Sequence, residues 1–164
     1  MEAKGMDYSK ARTVIYATYA DGMWSPLQSW GDDHMNLNLM NASLHYGIEA
    51  FEGLKAYRGK DGKVRIFRPW ENAARFKRSC EYLAMASVPE DMFIEACCRA
   101  VEENIDYLPD YGTMASMYIR PMMICTNPQI NLVCGKEFMF IVIVTPLGSY
   151  TGSVLKQTKA LIVR

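Results

Sequence analysis

The sequence predicts an α+β fold with a largely antiparallel sheet and two main helices. Segments rich in β-branched and aromatic residues, which favour strands, lie towards both ends of the chain. Two segments with a helical hydrophobic period follow one another between them. Short polar turns join neighbouring strand segments, whereas a parallel sheet needs a crossover after each strand. Strands, then helices, then strands again are typical of the α+β class.

The first elements are predicted strands. Residues 12–24 are β-branched and aromatic, and they turn at Asp21–Gly22. Residues 35–41 alternate between apolar residues and asparagine, which predicts another strand. Residues 53–68 form the clearest hairpin, because Asp61–Gly62 supplies its loop and the residues after that loop alternate in polarity.

Two helices are predicted next. The first begins at Pro69, since proline suits the first helical turn. The second begins near Ser87, which has the spacing of a capping box with Glu90, and it runs to about Leu108. Their apolar stripes are Phe76, Cys80, Leu83 and Ala84 in the first, and Phe93, Cys97, Ala100 and Val101 in the second.

Strands resume after the helices. Residues 113–126 and 137–146 are apolar and β-branched, and the sequence Asn-Pro-Gln-Ile-Asn between them indicates a loop. Residues 148–152 read as a connection. Residues 159–164 then predict a further strand, for which the chain offers no obvious partner.

Composition limits the classes of function. Of the 164 residues, 50% are hydrophobic and 22% are charged, which indicates a globular protein. Lys+Arg and Asp+Glu number 18 each, so no net charge favours nucleic acid or an anionic membrane. The most apolar run, residues 138–144, is far shorter than the ~20 residues of a membrane span. We therefore expect neither nucleic acid nor a membrane as a partner.

Cysteine and histidine usage predicts a cytoplasmic protein without a metal. The five cysteines are odd in number and form no C-x-x-C pair, which argues against a disulfide framework and a zinc site. Only two histidines are present. The first residues contain no apolar core, so they do not form a signal peptide. Reduced, mostly buried thiols fit this composition.

Two arginines are candidate ligand-binding residues. Arg120 lies within an apolar strand, where it shares a face with Tyr118 by alternation. The pair either holds a carboxylate or forms part of an edge strand whose arginine faces solvent. Arg75 lies beside the apolar stripe of the first helix, and its neighbours favour a solvated basic face over a phosphate ligand.

Three stretches together resemble the N-terminal domain of branched-chain aminotransferases, fold-type IV enzymes that depend on pyridoxal phosphate. They are "LHYGIEAFEGLKAYRGKDGKVRIFRPWENAARFKRS", "MYIRPMMI" and "TPLGSY", in matching order and spacing. The resemblance covers at least residues 30–150. It is carried by the combination of H-Y-G, F-E-G, F-R-P-x-x-N-x-x-R and Y-x-R-P.

The resemblance implies a role for seven residues. Arg75 holds the cofactor phosphate, which reverses the interpretation from pattern alone. The substrate residues are Phe51 and Tyr150, which line the pocket for the branched side chain; Tyr46 and Leu132, which complete it from the neighbouring subunit of a homodimer; and Tyr118 and Arg120, whose guanidinium meets the side-chain carboxylate of glutamate. His45 is expected to make a structural hydrogen bond, and Gly47 and Gly53 to satisfy positive φ or close packing.

The resemblance also implies that half of the active site lies elsewhere. The family carries its Schiff-base lysine and the acidic partner of the pyridine nitrogen in a second domain. We therefore divide the chain into a small N-terminal domain (1–147), an interdomain connection (148–157) and the first strand of a missing C-terminal domain (158–164). No catalytic residue is expected here, the chain alone should be inactive, and it should bind the cofactor weakly or not at all.

The implied reaction transfers the amino group of leucine, isoleucine or valine to 2-oxoglutarate, which gives glutamate. Another fold-type IV enzyme, such as a D-amino-acid aminotransferase or aminodeoxychorismate lyase, is an alternative. A non-catalytic interaction module is a second alternative, of a different class.

Overall fold

The structure is a computed structural model that describes residues 9–148 and 159–162. Its strands are β1 (Val14–Ala20), β2 (Met23–Trp24), β3 (Gln28–Trp30), β4 (Glu49–Phe51), β5 (Leu54–Arg58), β6 (Val64–Ile66), β7 (Ser116–Cys125) and β8 (Phe138–Leu147). Its helices are α1 (Ala42–Tyr46), α2 (Pro69–Tyr82), α3 (Glu90–Glu103) and a 3-10 turn (Ile105–Tyr107).

One sheet contains every one of these strands. Its order is β2-β1-β8-β7-β5-β6, with β3 on β1 and β4 on β7, and each of these pairings is antiparallel. All ten residues of β7 pair with β8, and this ladder forms the centre of the sheet. The predicted α+β class, antiparallel sheet and two long helices are confirmed.

Two short strands share one edge of β7. β4 pairs with Met122–Ile124, and β5 pairs with Met117–Ile119. Between them the Glu52 backbone N–H donates to the Pro121 carbonyl at 2.8 Å. Pro121 lacks an N–H of its own, and a strand tolerates proline where its ladder is interrupted. This interruption turns the chain from β4 into β5 and places Glu52 and its neighbours against α2.

Three phenylalanines join the two long helices to the sheet. Phe76 of α2, Phe93 of α3 and Phe140 of β8 are buried. Their ring centroids lie 5.5, 5.7 and 5.9 Å apart, within the range of favourable aromatic pairs. The hydrophobic core therefore lies between the helices and one face of the sheet.

The first helix ends earlier than its predicted stripe. α2 stops at Tyr82, and Leu83 and Ala84 are outside the helix, with Ala84 at φ 54°. The Met85 N–H instead donates to the Cys80 carbonyl at 2.9 Å, so the chain folds back and Met85 enters the core. The left-handed turn explains why Leu83 and Ala84 do not extend the buried face.

The limits predicted for the second helix are also wrong. Pro89 occupies the N-cap position with no side-chain hydrogen bond, so the expected box of Ser87 and Glu90 does not form. The helix ends at Glu103, not near Leu108, because Asn104 turns inward and is buried.

Asn104 fixes the N-terminal segment to the end of α3. Its Oδ1 accepts hydrogen bonds from the backbone N–H groups of Arg12 and Thr13, at 2.8 and 3.0 Å. Its Nδ2 donates to the carbonyls of Thr13 and Ala100, at 2.9 and 2.8 Å. A single buried amide therefore satisfies four backbone groups from two distant parts of the chain.

The predicted strand over residues 35–41 is not formed. Asparagine side chains bond to nearby backbone instead, as they do in turns. Asn38 Oδ1 accepts from the Met40 N–H at 2.9 Å, and Asn41 Oδ1 accepts from the Leu44 N–H at 3.0 Å. The latter bond caps α1, and Asn41 keeps only an isolated bridge to Pro128.

The other predicted strands are confirmed within residues 12–24, 53–68, 113–126 and 137–146. Residues 159–162, by contrast, form no strand, and Leu161 and Ile162 are exposed. A strand needs a hydrogen-bonding partner, and within the described ranges none pairs with this segment.

The remaining predictions concern cysteines and membrane segments. All five cysteines are free, with Cys80, Cys97 and Cys125 buried and Cys134 exposed, which agrees with mostly buried thiols. Among residues 9–148 and 159–162, no helix is long and apolar enough to cross a membrane.

Candidate functional site

The segment from α1 to β5 brings aromatic residues to the surface near α2. Gly47 ends α1 in the left-handed conformation at φ 65°, as its predicted backbone role requires. β4 then carries Phe51 to an exposed position, with 62% of its surface accessible. His45 Nε2 lies 2.9 Å from the Leu39 carbonyl oxygen, which confirms its structural hydrogen bond.

A groove of about 470 Å³ runs between β4 and α2. Its floor and walls combine two guanidinium groups, a hydroxyl group and aromatic and aliphatic side chains. The lining residues are Glu49, Ala50, Phe51, Arg75, Arg78, Ser79, Tyr82 and Leu83. Such a mixture suits a ligand with an anionic end and an apolar or aromatic body.

Arg75 is held at this groove by Glu52. Arg75 Nε and Nη2 donate to the two carboxylate oxygens of Glu52, at 2.5 and 2.7 Å. Glu52 is buried, with 3% of its side chain exposed, whereas 61% of the Arg75 side chain is exposed. A third donor, Asn72 Nδ2, lies 2.9 Å from Glu52 Oε2. The guanidinium is therefore bound along one edge, in the bidentate geometry that carboxylates favour.

The electrostatics of the pair keep both groups charged. Burial raises the pKa of Glu52, but the hydrogen bonds from Arg75 and Asn72 outweigh it and hold that pKa below its usual value. The hydrogen bonds to Glu52 raise the pKa of Arg75. Hydrogen bonding to the charged form is the physical cause in both cases.

Phe51 connects the groove to a second arginine. The Arg120 guanidinium carbon lies 4.4 Å from the centre of the Phe51 ring, a cation–π contact. Arg120 Nη2 and Nε donate to the Tyr118 hydroxyl oxygen, at 2.8 and 3.2 Å. The predicted shared face of Tyr118 and Arg120 is thus confirmed, while Ile119 is buried on the other face. β7 pairs on both sides, so the alternative of an edge-strand arginine is wrong.

Gly53 packs directly against this second cluster. A methyl group at its Cα would lie only 2.3 Å from the Tyr118 hydroxyl oxygen. The expected close approach at Gly53 is therefore present, and it lets Tyr118 reach Arg120 across β5.

The remaining three predicted residues lie apart from the groove. The Tyr46 hydroxyl group donates to the Ile130 carbonyl, which ties α1 to the loop before β8. Leu132, in the same loop, is 84% exposed. Neither residue lines the groove. Tyr150 lies outside the residues that the structure describes.

Sequence reasoning quoted Glu52 and Asn72 only as letters of motifs and assigned them no role. A signal was available, because Asn72 and Arg75 are three residues apart and so share one helix face. A glutamate between an aromatic residue and a glycine could then have been matched to that polar face. Its burial follows only from the interruption between β4 and β5.

A separate cluster of Asp32, Asp33 and His34 lies near the N-terminal segment, with potential metal-ligand atoms within 4.8 Å of one another. The Lys10 ammonium group already pairs with both carboxylates, at 3.0 and 2.9 Å. Hydrogen bonding to Asp32 raises the pKa of His34. This is an ion-pair cluster on the surface, distant in sequence from the groove.

Curated proteins similar to the chain are aminotransferases. A branched-chain-amino-acid aminotransferase of Helicobacter pylori is 39% identical over 146 residues, which are 89% of this chain and 43% of that protein. Its counterpart in Haemophilus influenzae is 38% identical, with the same coverage. No protein-family model matches the chain.

Solved structures agree with the sequence comparison. The branched-chain amino acid aminotransferase of Escherichia coli is 26% identical with a TM-score of 0.65, and the match covers 88% of this chain and 42% of that one. The fold also matches the T.th. branched-chain enzyme solved with pyridoxamine 5'-phosphate, at 24% identity and a TM-score of 0.62, with the same two coverages. The chain thus spans about two fifths of the length of the proteins it matches.

Proposed function

Because this chain is homologous to the N-terminal domain of branched-chain aminotransferases, we propose that it forms the substrate side of such an active site. The observation that carries the proposal is that Phe51 borders two arginines at once. It lines the groove with Arg75 and stacks on Arg120. One apolar surface thus lies between two groups that bind anions.

The proposed domain organisation follows from coverage. Residues 1–147 form the small domain, 148–157 connect it, and 158–164 begin a larger domain that supplies the Schiff-base lysine. A match to about two fifths of each relative supports this division. The exposed apolar residues Leu161 and Ile162 are consistent with a strand that pairs only inside that domain.

The groove fits the phosphate end of pyridoxal phosphate. Arg75 presents the edge of its guanidinium that Glu52 does not occupy, and Arg78 and Ser79 line the same space. A phosphate dianion prefers a fixed guanidinium donor. When bound, the cofactor supplies an electron sink for the amino acid. This chain contributes the orientation of the phosphate and one wall of the pocket.

The second arginine would select the amino donor and acceptor. Phe51 offers an apolar wall to a branched side chain, although one methylene changes the transition-state free energy by only about 1–3 kcal/mol. Arg120 would bind the distal carboxylate of glutamate and 2-oxoglutarate. Tyr118 holds that guanidinium through its hydroxyl oxygen, so the charge is fixed without a second acidic group.

The rest of the pocket would come from outside the groove. We assign Tyr150 to the wall opposite Phe51, and Tyr46 and Leu132 to the pocket of the partner in a homodimer. The high exposure of Leu132 and its separation from the groove support a contact across an interface. We place the enzyme in the cytoplasm, in branched-chain amino-acid metabolism, since its five free cysteines suit a reducing compartment.

A chimaera tests the proposal. Residues 1–147 replace the matching part of the H. pylori relative, and the product is assayed with L-leucine and 2-oxoglutarate. We expect turnover by the chimaera and none by the 164-residue chain. Arg75→Gln in the chimaera should weaken cofactor binding about tenfold or more, because a charge-assisted pair contributes roughly 1.5–3 kcal/mol.

Each competing function has its own result in the same assay. Turnover by the 164-residue chain alone would contradict the division of the active site. Preference for D-alanine over L-leucine would indicate a D-amino-acid aminotransferase, and turnover of aminodeoxychorismate would indicate the lyase. A chimaera that binds the cofactor but transfers no amino group would favour an interaction module.

A further inference from the structure

We propose that Glu52 is a positioning residue, which orients the Arg75 guanidinium so that its free edge binds the phosphate of a pyridoxal-type ligand. This inference rests on the proposed function of the groove. It assigns a role to a buried carboxylate that contacts no part of the groove lining except Arg75.

Glu52 is itself rigidly held. Its backbone N–H donates to the Pro121 carbonyl at 2.8 Å, and its side chain accepts from Asn72 Nδ2 at 2.9 Å and from the Gly53 N–H at 3.3 Å. Only 3% of its side chain is exposed. The carboxylate is therefore a fixed point between the sheet and α2.

Arg75, by contrast, would be mobile without this partner. Most of its side chain is exposed, and a long exposed arginine samples many rotamers. Glu52 binds Nε and Nη2 in two parallel hydrogen bonds, which fix the plane of the guanidinium. Within the described residues, Nη1 makes no recorded hydrogen bond and remains available to a ligand. A ligand then binds a guanidinium that has already lost its rotamer freedom.

Electrostatics alone predict the opposite effect of Glu52. A carboxylate beside an anion site repels the anion, so its removal should strengthen phosphate binding. If Glu52 acts by orientation, its removal should weaken phosphate binding. The sign of the change therefore separates the two explanations.

Arg78 and Ser79 show why this pair is more than a structural ion pair. The pair of Glu52 and Arg75 has no net charge, so on its own it attracts an anion poorly. Arg78 lines the same groove and adds a positive charge, and Ser79 adds a hydroxyl donor. Orientation by Glu52 and attraction by Arg78 are thus provided by different residues.

The test uses the 164-residue chain and two probes, pyridoxamine 5'-phosphate and pyridoxamine. Neither has the aldehyde that reacts with surface lysines, and their difference in affinity isolates the phosphate. NMR of arginine Nε–H groups and backbone amides reports binding and folding. The variants are Glu52→Gln and Glu52→Asp, each alone and combined with Arg75→Gln. Glu49→Gln is the matched control, since it removes a charge from the same groove without contacting Arg75.

We expect wild type to bind pyridoxamine 5'-phosphate more tightly than pyridoxamine, and both Glu52 variants to lose at least threefold of that preference. Glu49→Gln should keep or increase it. In the Arg75→Gln background the Glu52 variants should have no further effect, because they act through Arg75. The Arg75 Nε–H signal should move towards the solvent-exposed position in Glu52→Gln.

Two failures are distinguishable. If Arg75→Gln lowers the preference for the phosphate but the Glu52 variants leave it unchanged or raise it, this inference is overturned and the proposed function stands. If wild type shows no preference and Arg75→Gln changes nothing, the proposed phosphate site is wrong, and the inference falls with it. An equal loss from Glu52→Gln with and without Arg75 would show a general structural role and overturn positioning.

Discussion

Replacing Gly53 with alanine should disturb the Tyr118–Arg120 cluster and destabilise the chain. The new methyl carbon would lie 2.3 Å from the Tyr118 hydroxyl oxygen and 3.1 Å from the adjacent ring carbon. Contact at a normal distance requires Tyr118 to move by about 1 Å, since non-bonded heavy atoms meet at about 3.5 Å. That movement breaks the 2.8 Å hydrogen bond from Arg120 Nη2.

The magnitude follows from two opposing contributions. Overpacking costs about 1–3 kcal/mol, and loss of backbone freedom in the unfolded chain returns about 0.4–1 kcal/mol. Gly53 needs no left-handed backbone, so no strain is added. Tyr118 is only half-buried and can partly swing aside. We expect a net loss of roughly 1–2 kcal/mol in the free energy of unfolding, or about 2–8 °C in Tm.

Urea denaturation followed by tryptophan fluorescence measures this loss. Gly31→Ala is the matched control, because a methyl group there has no neighbour within 4 Å and no left-handed backbone to strain. It should be neutral or stabilising by up to about 1 kcal/mol. Adding Tyr118→Phe to Gly53→Ala should recover part of the loss, since the clashing oxygen is removed. Equal stabilities for Gly53→Ala and Gly31→Ala would refute the reasoning.

Three further results are expected. Asn104→Ala should lower the free energy of unfolding by about 2–4 kcal/mol in urea, since each unsatisfied buried group costs about 1–3 kcal/mol; a change below about 1 kcal/mol would contradict this. Glu52 has a lowered pKa in the folded state, so its stabilisation is complete above about pH 4.3 and is lost as pH falls through the folded pKa. The stability difference between wild type and Glu52→Gln should therefore shrink between pH 7 and pH 3, and a constant difference would count against the ion pair. Iodoacetamide with mass spectrometry should label exposed Cys134 in the native chain but spare Cys80 and Cys97, since burial raises the pKa of Cys80 to about 12 and that of Cys97 further.

Local patterns predicted those parts of the fold that depend on local physics. The β5–β6 hairpin follows from its turn residues, and the first helix begins at Pro69 as expected. Predictions were wrong where side chains compete with the backbone. Asn38 and Asn41 use their amides to make a turn and a cap, although the alternation around them is that of a strand.

The candidate site was only partly accessible to sequence reasoning. Alternation correctly placed Tyr118 and Arg120 on one face, because a strand has a fixed period of two. The contact between Glu52 and Arg75 joins residues 23 apart, and the contact between Phe51 and Arg120 joins two strands. Such contacts depend on how β4 and β5 share β7, which no local period encodes.

The three packed phenylalanine rings have a consequence for motion at the groove. Arg75 directly precedes Phe76, whose ring contacts both Phe93 and Phe140. A hinge movement of α2 away from β4 would therefore open the core and expose three aromatic rings at once. Because that opening is costly, the two borders of the groove should behave as one rigid body, and amides of α2, α3 and β8 should exchange with solvent together. Adjustment to differently shaped ligands then falls to side chains and to whatever closes over the groove from outside.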